Sequence, residues 1–224
     1  ALYTPFSFIL IYEAYLLIFY IPRSFTTAIG KQFEIISLIV IRKIFGDIPL
    51  VNLQSNWFDN QYNLQLIYDL VGIIVIFFLI YLFRRAKDNL PKKPVSEKLD
   101  RFIASKKLLS ITLLPILIAI CVLSFYNWIS NSLITNTFDQ DLNYLFFNEF
   151  FTLLIVVDVF ILLISFQYTE RYSQLIRNTG FIISTILLRL SFSAEGLYSI
   201  LLLILGVVFG LIILRIYKLA EETY

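Results

Sequence analysis

The chain has 224 residues, 59% of them apolar, with a mean hydropathy of +0.82 and a formal net charge of only +2. Charged residues make up 15%, against roughly 25% in an average soluble domain. That balance excludes a soluble enzyme, a disordered tail and a nucleic-acid-binding module, and leaves an all-α, polytopic membrane helix bundle.

The inventory narrows the chemistry further. There is no His and no Met, and Cys121 is the single cysteine. Zinc, copper and haem sites draw on His, Cys and Met, so neither a metal nor a cofactor is expected. Cys121 sits in an apolar run and reads as a small hydrophobe. Ala1 opens almost directly into an apolar stretch, without the basic leader or cleavage motif of a signal peptide.

About 20 largely apolar residues make a membrane helix, and seven segments approach this. In chain order they are A (4–22), B (24–45), C (65–85), D (107–130), E (145–167), F (175–192) and G (196–217). A and B are separated by Pro22, Arg23 and Ser24, and E and F by the stretch from Gln167 to Gln174, so both pairs read as helical hairpins. A, B and F are the weakest spans, being short or internally charged.

Lys and Arg in short loops set the orientation. Residues 84–107 hold nine of the eighteen basic residues: Arg84, Arg85, Lys87, Lys92, Lys93, Lys98, Arg101, Lys106 and Lys107. Pro91 and Pro94 make the stretch a non-helical linker and a boundary, giving a first unit at 1–85, a linker at 86–106 and a second unit at 107–224. The linker is expected on the cytoplasmic side, as an ordinary positive-inside loop or, more specifically, as a polybasic segment that binds anionic lipid. The loops 46–64 and 131–144 carry no Lys or Arg and fall outside. Trp57, Tyr62, Trp128 and Tyr144 suit that outer interface. Arg23 with Lys31, Arg171 with Arg177, and Arg215 with Lys218 put both hairpin turns and the C-terminus inside. The expected address is a bacterial inner membrane or an equivalent energy-transducing membrane.

The chain also compares well with itself. Helix A carries Glu13 where helix E carries Asp158, and FEIISLIVIR (Phe33 to Arg42) answers FIISTILLR (Phe181 to Arg189). A third apolar helix, C or G, then ends in basic residues. Order and orientation match, which makes a parallel repeat of a four-helix unit. Helix D has no counterpart before A, and with the missing Met this raises the expectation of an eighth helix upstream of Ala1. Each unit resembles the PsiE family, small four-helix membrane proteins named for phosphate-starvation induction. The resemblance rests on a helix with a central acid, a helix ending in Arg shortly before an acid, and a last helix ending in basic residues. These are Asp158, Arg189 with Glu195, and Arg215 with Lys218 in the second unit, and Glu13, Arg42 with Asp47, and Arg84 with Arg85 in the first. The family implies a membrane helix bundle and no established chemistry.

Charges at membrane depth are costly and mark candidate sites. Glu13, Lys31, Glu34 and Asp158 are the candidates for an intramembrane polar cluster. Lys31 and Glu34 lie three apart, on one helix face, and Glu13 joins them if A and B pack together. Three roles are open: a proton or cation relay through Glu13 and Glu34, an ion-paired clamp between helices, and snorkelling to lipid headgroups. Arg42 and Arg189 lie near the outer ends of B and F, where a half-buried Arg seeks a carboxylate or reaches a headgroup. At matching depth the candidates are Asp69 or Asp47 for Arg42, and Glu149 or Glu195 for Arg189. A voltage sensor is excluded, because helix F offers only Arg177 and Arg189, twelve apart. Gly206 and Gly210 form a GxxxG that permits close helix crossing.

The sequence shows no nucleophile beside a base and no phosphate-cradling loop. It therefore favours a non-enzymatic membrane subunit, assembled with itself or with other membrane proteins and contacting lipid but no nucleic acid. An ion channel or a proton- or cation-coupled transporter is the alternative.

Overall fold

The computed structural model describes residues 3–51, 60–90, 97–135, 142–169, 171–194 and 196–222. The side chains of 3–8, 10, 97–99, 121, 124, 125, 127–135, 142–149 and 222 are outside the description. Among the described residues all regular structure is helical, in seven long helices: α1 (Tyr3–Phe19), α2 (Phe25–Asp47), α3 (Gln61–Asp88), α4 (Glu97–Thr135), α5 (Leu142–Tyr168), α6 (Tyr172–Leu190) and α7 (Gly196–Glu222). Short 3-10 turns follow α2 and α6.

Local chemistry sets several ends. Ser24 Oγ accepts from the Thr27 backbone N–H at 3.3 Å, capping α2 just after Pro22 has broken the chain. Asn60 Oδ1 does the same for α3, accepting from the Tyr62 N–H at 2.9 Å. Gly196 adopts φ +62°, the left-handed conformation that swings the chain into α7. The linker is less irregular than its prolines suggest. Helix continues to Asp88 and resumes at Glu97, because the residues after Pro94 are mostly good helix formers. Residues 91–96, including Pro91, lie outside the description.

Five of the seven helices are long and apolar enough to cross a membrane, by length and composition: Gln61–Asp88, Asp100–Ile120, Phe150–Tyr168, Tyr172–Ser193 and Gly196–Glu221. The sequence reading counted seven spans, and α1 and α2 make the difference. α1 is described over 17 residues, from Tyr3 to Phe19. α2 is long enough but carries Lys31, Glu34, Arg42, Lys43 and Asp47.

The fold places several charged and polar groups at its helix interfaces. α2 and α6 are the inner helices and touch one another. α3 packs on α2 and α7, α7 lies along α6, α5 packs on α6, and α4 lies against both α5 and α1. Phe83 of α3 joins the inner pair, its ring 5.0 Å from Phe33 of α2 and 6.1 Å from Phe181 of α6. The outward faces are apolar: Tyr12 and Tyr15 on α1, Ile74 and Phe78 on α3, Leu108 and Ile111 on α4, Phe160 on α5, Leu205 on α7. Glu13, Gln32, Asn63, Asp69, Asp158, Ser184, Thr185 and Arg189 are buried. Polar groups inside and an apolar jacket outside is the arrangement that lipid favours.

Gly206 and Gly210 face inward. A Cβ on Gly206 would lie 2.9 Å from Leu188 Cδ2 and 3.2 Å from the Ser184 carbonyl. One on Gly210 would lie 2.8 Å from Phe33 Cζ and 2.9 Å from Ser184 Oγ. Ser184 Oγ uses the closeness to donate to the Gly206 carbonyl at 2.6 Å. The motif thus serves a helix crossing within the chain.

Candidate functional site: ion pairs inside the helical bundle

Both helical hairpins carry an interhelical ion pair. In the first, Arg42 Nε of α2 donates to Glu13 Oε2 of α1 at 3.3 Å, with side chains 11% and 3% exposed. In the second, Arg189 of α6 meets Asp158 Oδ2 of α5 at 2.7 Å, with side chains 3% and 5% exposed. Thr185, one turn before Arg189, donates to the same carboxylate oxygen at 2.9 Å.

These partners differ from those expected at matching depth. Arg42 pairs with Glu13 on the neighbouring helix, while Asp69 is engaged by Lys43 at 3.4 Å and by Gln65 at 2.9 Å. Arg189 pairs with Asp158. The side chain of Glu149, and Glu195 altogether, lie outside the described residues. Helix geometry contributes to this. Every Cα–Cβ bond tilts toward its own helix N-terminus. In an antiparallel hairpin the two helices therefore lean their side chains toward each other along the axis. A mid-helix acid on the descending strand of the hairpin and an Arg near the end of the ascending one close a gap in depth that their Cα positions suggest is open.

The cluster expected from Glu13, Lys31 and Glu34 separates into two groups. Lys31 Nζ holds Glu34 Oε2 at 2.8 Å, and Arg84 Nε of α3 donates to Glu34 Oε1 at 2.9 Å. Both carboxylate oxygens of Glu34 are thus occupied, by a partly exposed Lys and by an Arg 58% exposed. Glu13 belongs instead with Arg42, three helical turns beyond Lys31 along α2.

Two residues counted in the basic linker are engaged by the helices beside them. One is Arg84, exposed but paired with Glu34. The other is Lys106, buried on α4, whose ammonium donates to the Arg23 carbonyl at 2.6 Å and sits 4.6 Å from the Phe25 ring and 5.4 Å from that of Phe102. One turn on, Ser110 Oγ donates to the Ile18 carbonyl at 3.0 Å. α4 thereby caps the C-terminal end of α1, where orphan carbonyls and the helix dipole favour donors and a cation. The sequence did contain a signal. Phe102, Lys106, Ser110, Leu113 and Leu117 recur at helical spacing, and all five are buried. Of the remaining linker cations, Arg85, Arg101 and Lys107 are exposed.

A cavity of about 30 Å³ lies between α2, α4, α5 and α6, lined by Phe25, Gln32, Lys106, Asp158, Phe181 and Thr185 among others. Its lining is mostly apolar, with Gln32, Lys106, Asp158 and Thr185 as the polar members. Among the described residues no group of three or more His, Cys, Asp or Glu is placed to hold a metal ion.

Compared with protein-family models, curated proteins and solved structures, the chain matches none.

The several apolar helices define the class: a multi-pass membrane protein. What its interior groups can do is neutralise one another across helix interfaces. In two of the buried carboxylates the partners differ in number, and that difference carries the functional argument below.

Proposed function

We propose that this protein is a non-catalytic, multi-pass membrane subunit, built on a parallel internal repeat of helical units. It works as a self-associating bundle or as an accessory part of a larger membrane complex. One observation supports this best: the internal charges are used up between helices of the same chain, while the faces left outward on α1, α3, α4, α5 and α7 are apolar. A scaffold needs its polar groups for holding its own helices, and its outer faces for lipid and neighbours. The repeat gains support from equivalent helices carrying equivalent pairs, Glu13 with Arg42 and Asp158 with Arg189. The PsiE-like reading rests on the same pattern.

In this reading the protein resides in a bacterial inner membrane or its equivalent. The linker and the C-terminus face the cytoplasm, and Arg85, Arg101 and Lys107 are the linker cations available to anionic lipid. The test is purification of the intact chain into lipid nanodiscs after cross-linking in the native membrane. A mass above that of one chain is expected, from self-association or from defined membrane partners. A strictly monomeric protein with no cross-linked neighbour overturns the proposal.

A further inference from the structure

We infer that Glu13 is the proton-binding group of this bundle, a buried carboxyl that takes up and releases a proton. The inference goes beyond a packing role and rests on how the acids are partnered. Glu13 is 2% exposed, and its Oε1 is buried with no hydrogen-bonding partner among the described residues. Only Oε2 is engaged, by Arg42 at 3.3 Å.

The comparison with the other acids isolates it. Glu34 has a cation on each oxygen. Asp158 has the Arg189 guanidinium 2.7 Å from Oδ2, as an ion contact without hydrogen-bond geometry, and the Thr185 hydroxyl 2.9 Å from the same oxygen. Asp69 accepts from Gln65 on one oxygen; its other oxygen makes no hydrogen bond among the described residues but faces the Lys43 ammonium at 3.4 Å, a cation that Glu13 Oε1 lacks. A buried ionised carboxylate needs several donors to offset the loss of water. Glu13 has one long contact, and its free oxygen is the place where a proton can add. Addition forms an O–H bond at Oε1 and changes no other bond. Arg42 keeps its own proton and its neighbourhood.

The charged surroundings of Glu13 are simple. From α2 it faces Arg42. α4, the other helix against α1, directs Lys106 and Ser110 to the C-terminal end of α1, at Arg23 and Ile18. On α1 itself Tyr12 and Tyr15 flank it and point outward. Among the described residues, a proton bound here is therefore balanced against Arg42.

The experiment is infrared difference spectroscopy of the full chain in liposomes, reading the C=O stretch of protonated carboxyls. At about pH 6 exposed carboxyls are ionised, so a band there reports a buried acid. A band is expected in the unaltered protein, lost in Glu13→Gln and unchanged in Glu34→Gln. Removing the cation with Arg42→Gln is expected to carry the band to more alkaline pH, about tenfold or more in proton affinity. This second variant holds the test open should Glu13→Gln fail to fold. Absence of the band in the unaltered protein overturns the inference. So does a band that survives Glu13→Gln or that Arg42→Gln leaves at the same pH.

Discussion

The two hairpins solve one problem with unequal success. Each buries an acid on its first helix and an Arg on its second. The α5–α6 pair is short, almost sealed and reinforced by Thr185, whereas the α1–α2 pair is longer, more open at its Arg and has an idle carboxylate oxygen. The difference teaches that pairing of charges inside a bundle is not one interaction with one strength. The number of donors around the carboxylate decides whether it is fixed as an anion or left able to change state.

The largest break in the comparison comes from removing a cation. Arg189→Met leaves Asp158 buried without its countercharge, and loss of one partner from a buried pair costs about 3–5 kcal/mol. Arg42→Met is expected to cost less, about 1–3 kcal/mol, the range for a buried group left without its partner, because Glu13 can shed its charge by taking up a proton. Reversible unfolding in mixed micelles measures both. Equal losses would mean that the two pairs hold their helices equally well, and the comparison would fail.

A subtler change converts the tight pair toward the loose one. Thr185→Val keeps the shape of the side chain and removes the donor to Asp158. The expected loss is about 1 kcal/mol, with the helices in place. If Thr185→Val unfolds at the same midpoint as the unaltered protein, the count of donors is not what separates the hairpins.

How much of this the sequence carried can be seen residue by residue. The apolar runs gave the helices, and the recurrence of an acid and an Arg in each hairpin marked the four residues that form the interior pairs. Their pairing was hidden because the sequence was read as a depth chart, with one residue opposite another at equal height. Side chains that lean toward helix N-termini break that chart. Lys106 was misplaced for another reason. Composition groups it with eight other cations between two spans, yet its helical stripe with Phe102, Ser110 and Leu113 points into the bundle. Arg84 could not be assigned from sequence at all, since its partner Glu34 lies 50 residues away.

The smallest expected effect tests whether burial or charge count matters. Glu34 has more cationic partners than either interior acid, with Lys31 and Arg84 both on it. If cations alone set stability, Arg84→Ala should rank with Arg189→Met. Burial argues the reverse. Arg84 is 58% exposed, and exposed pairs contribute only about 0.2–1 kcal/mol because water and salt screen them. Arg84→Ala is therefore expected to lower stability by less than about 1 kcal/mol, an effect that fades as salt is raised, whereas the loss in Arg189→Met should be nearly indifferent to salt. Unfolding midpoints at low and high ionic strength separate the two. A salt-insensitive loss of several kcal/mol in Arg84→Ala would place Glu34 among the structural acids of the interior and would move the weak point of the first hairpin from Glu13 to the α2–α3 contact.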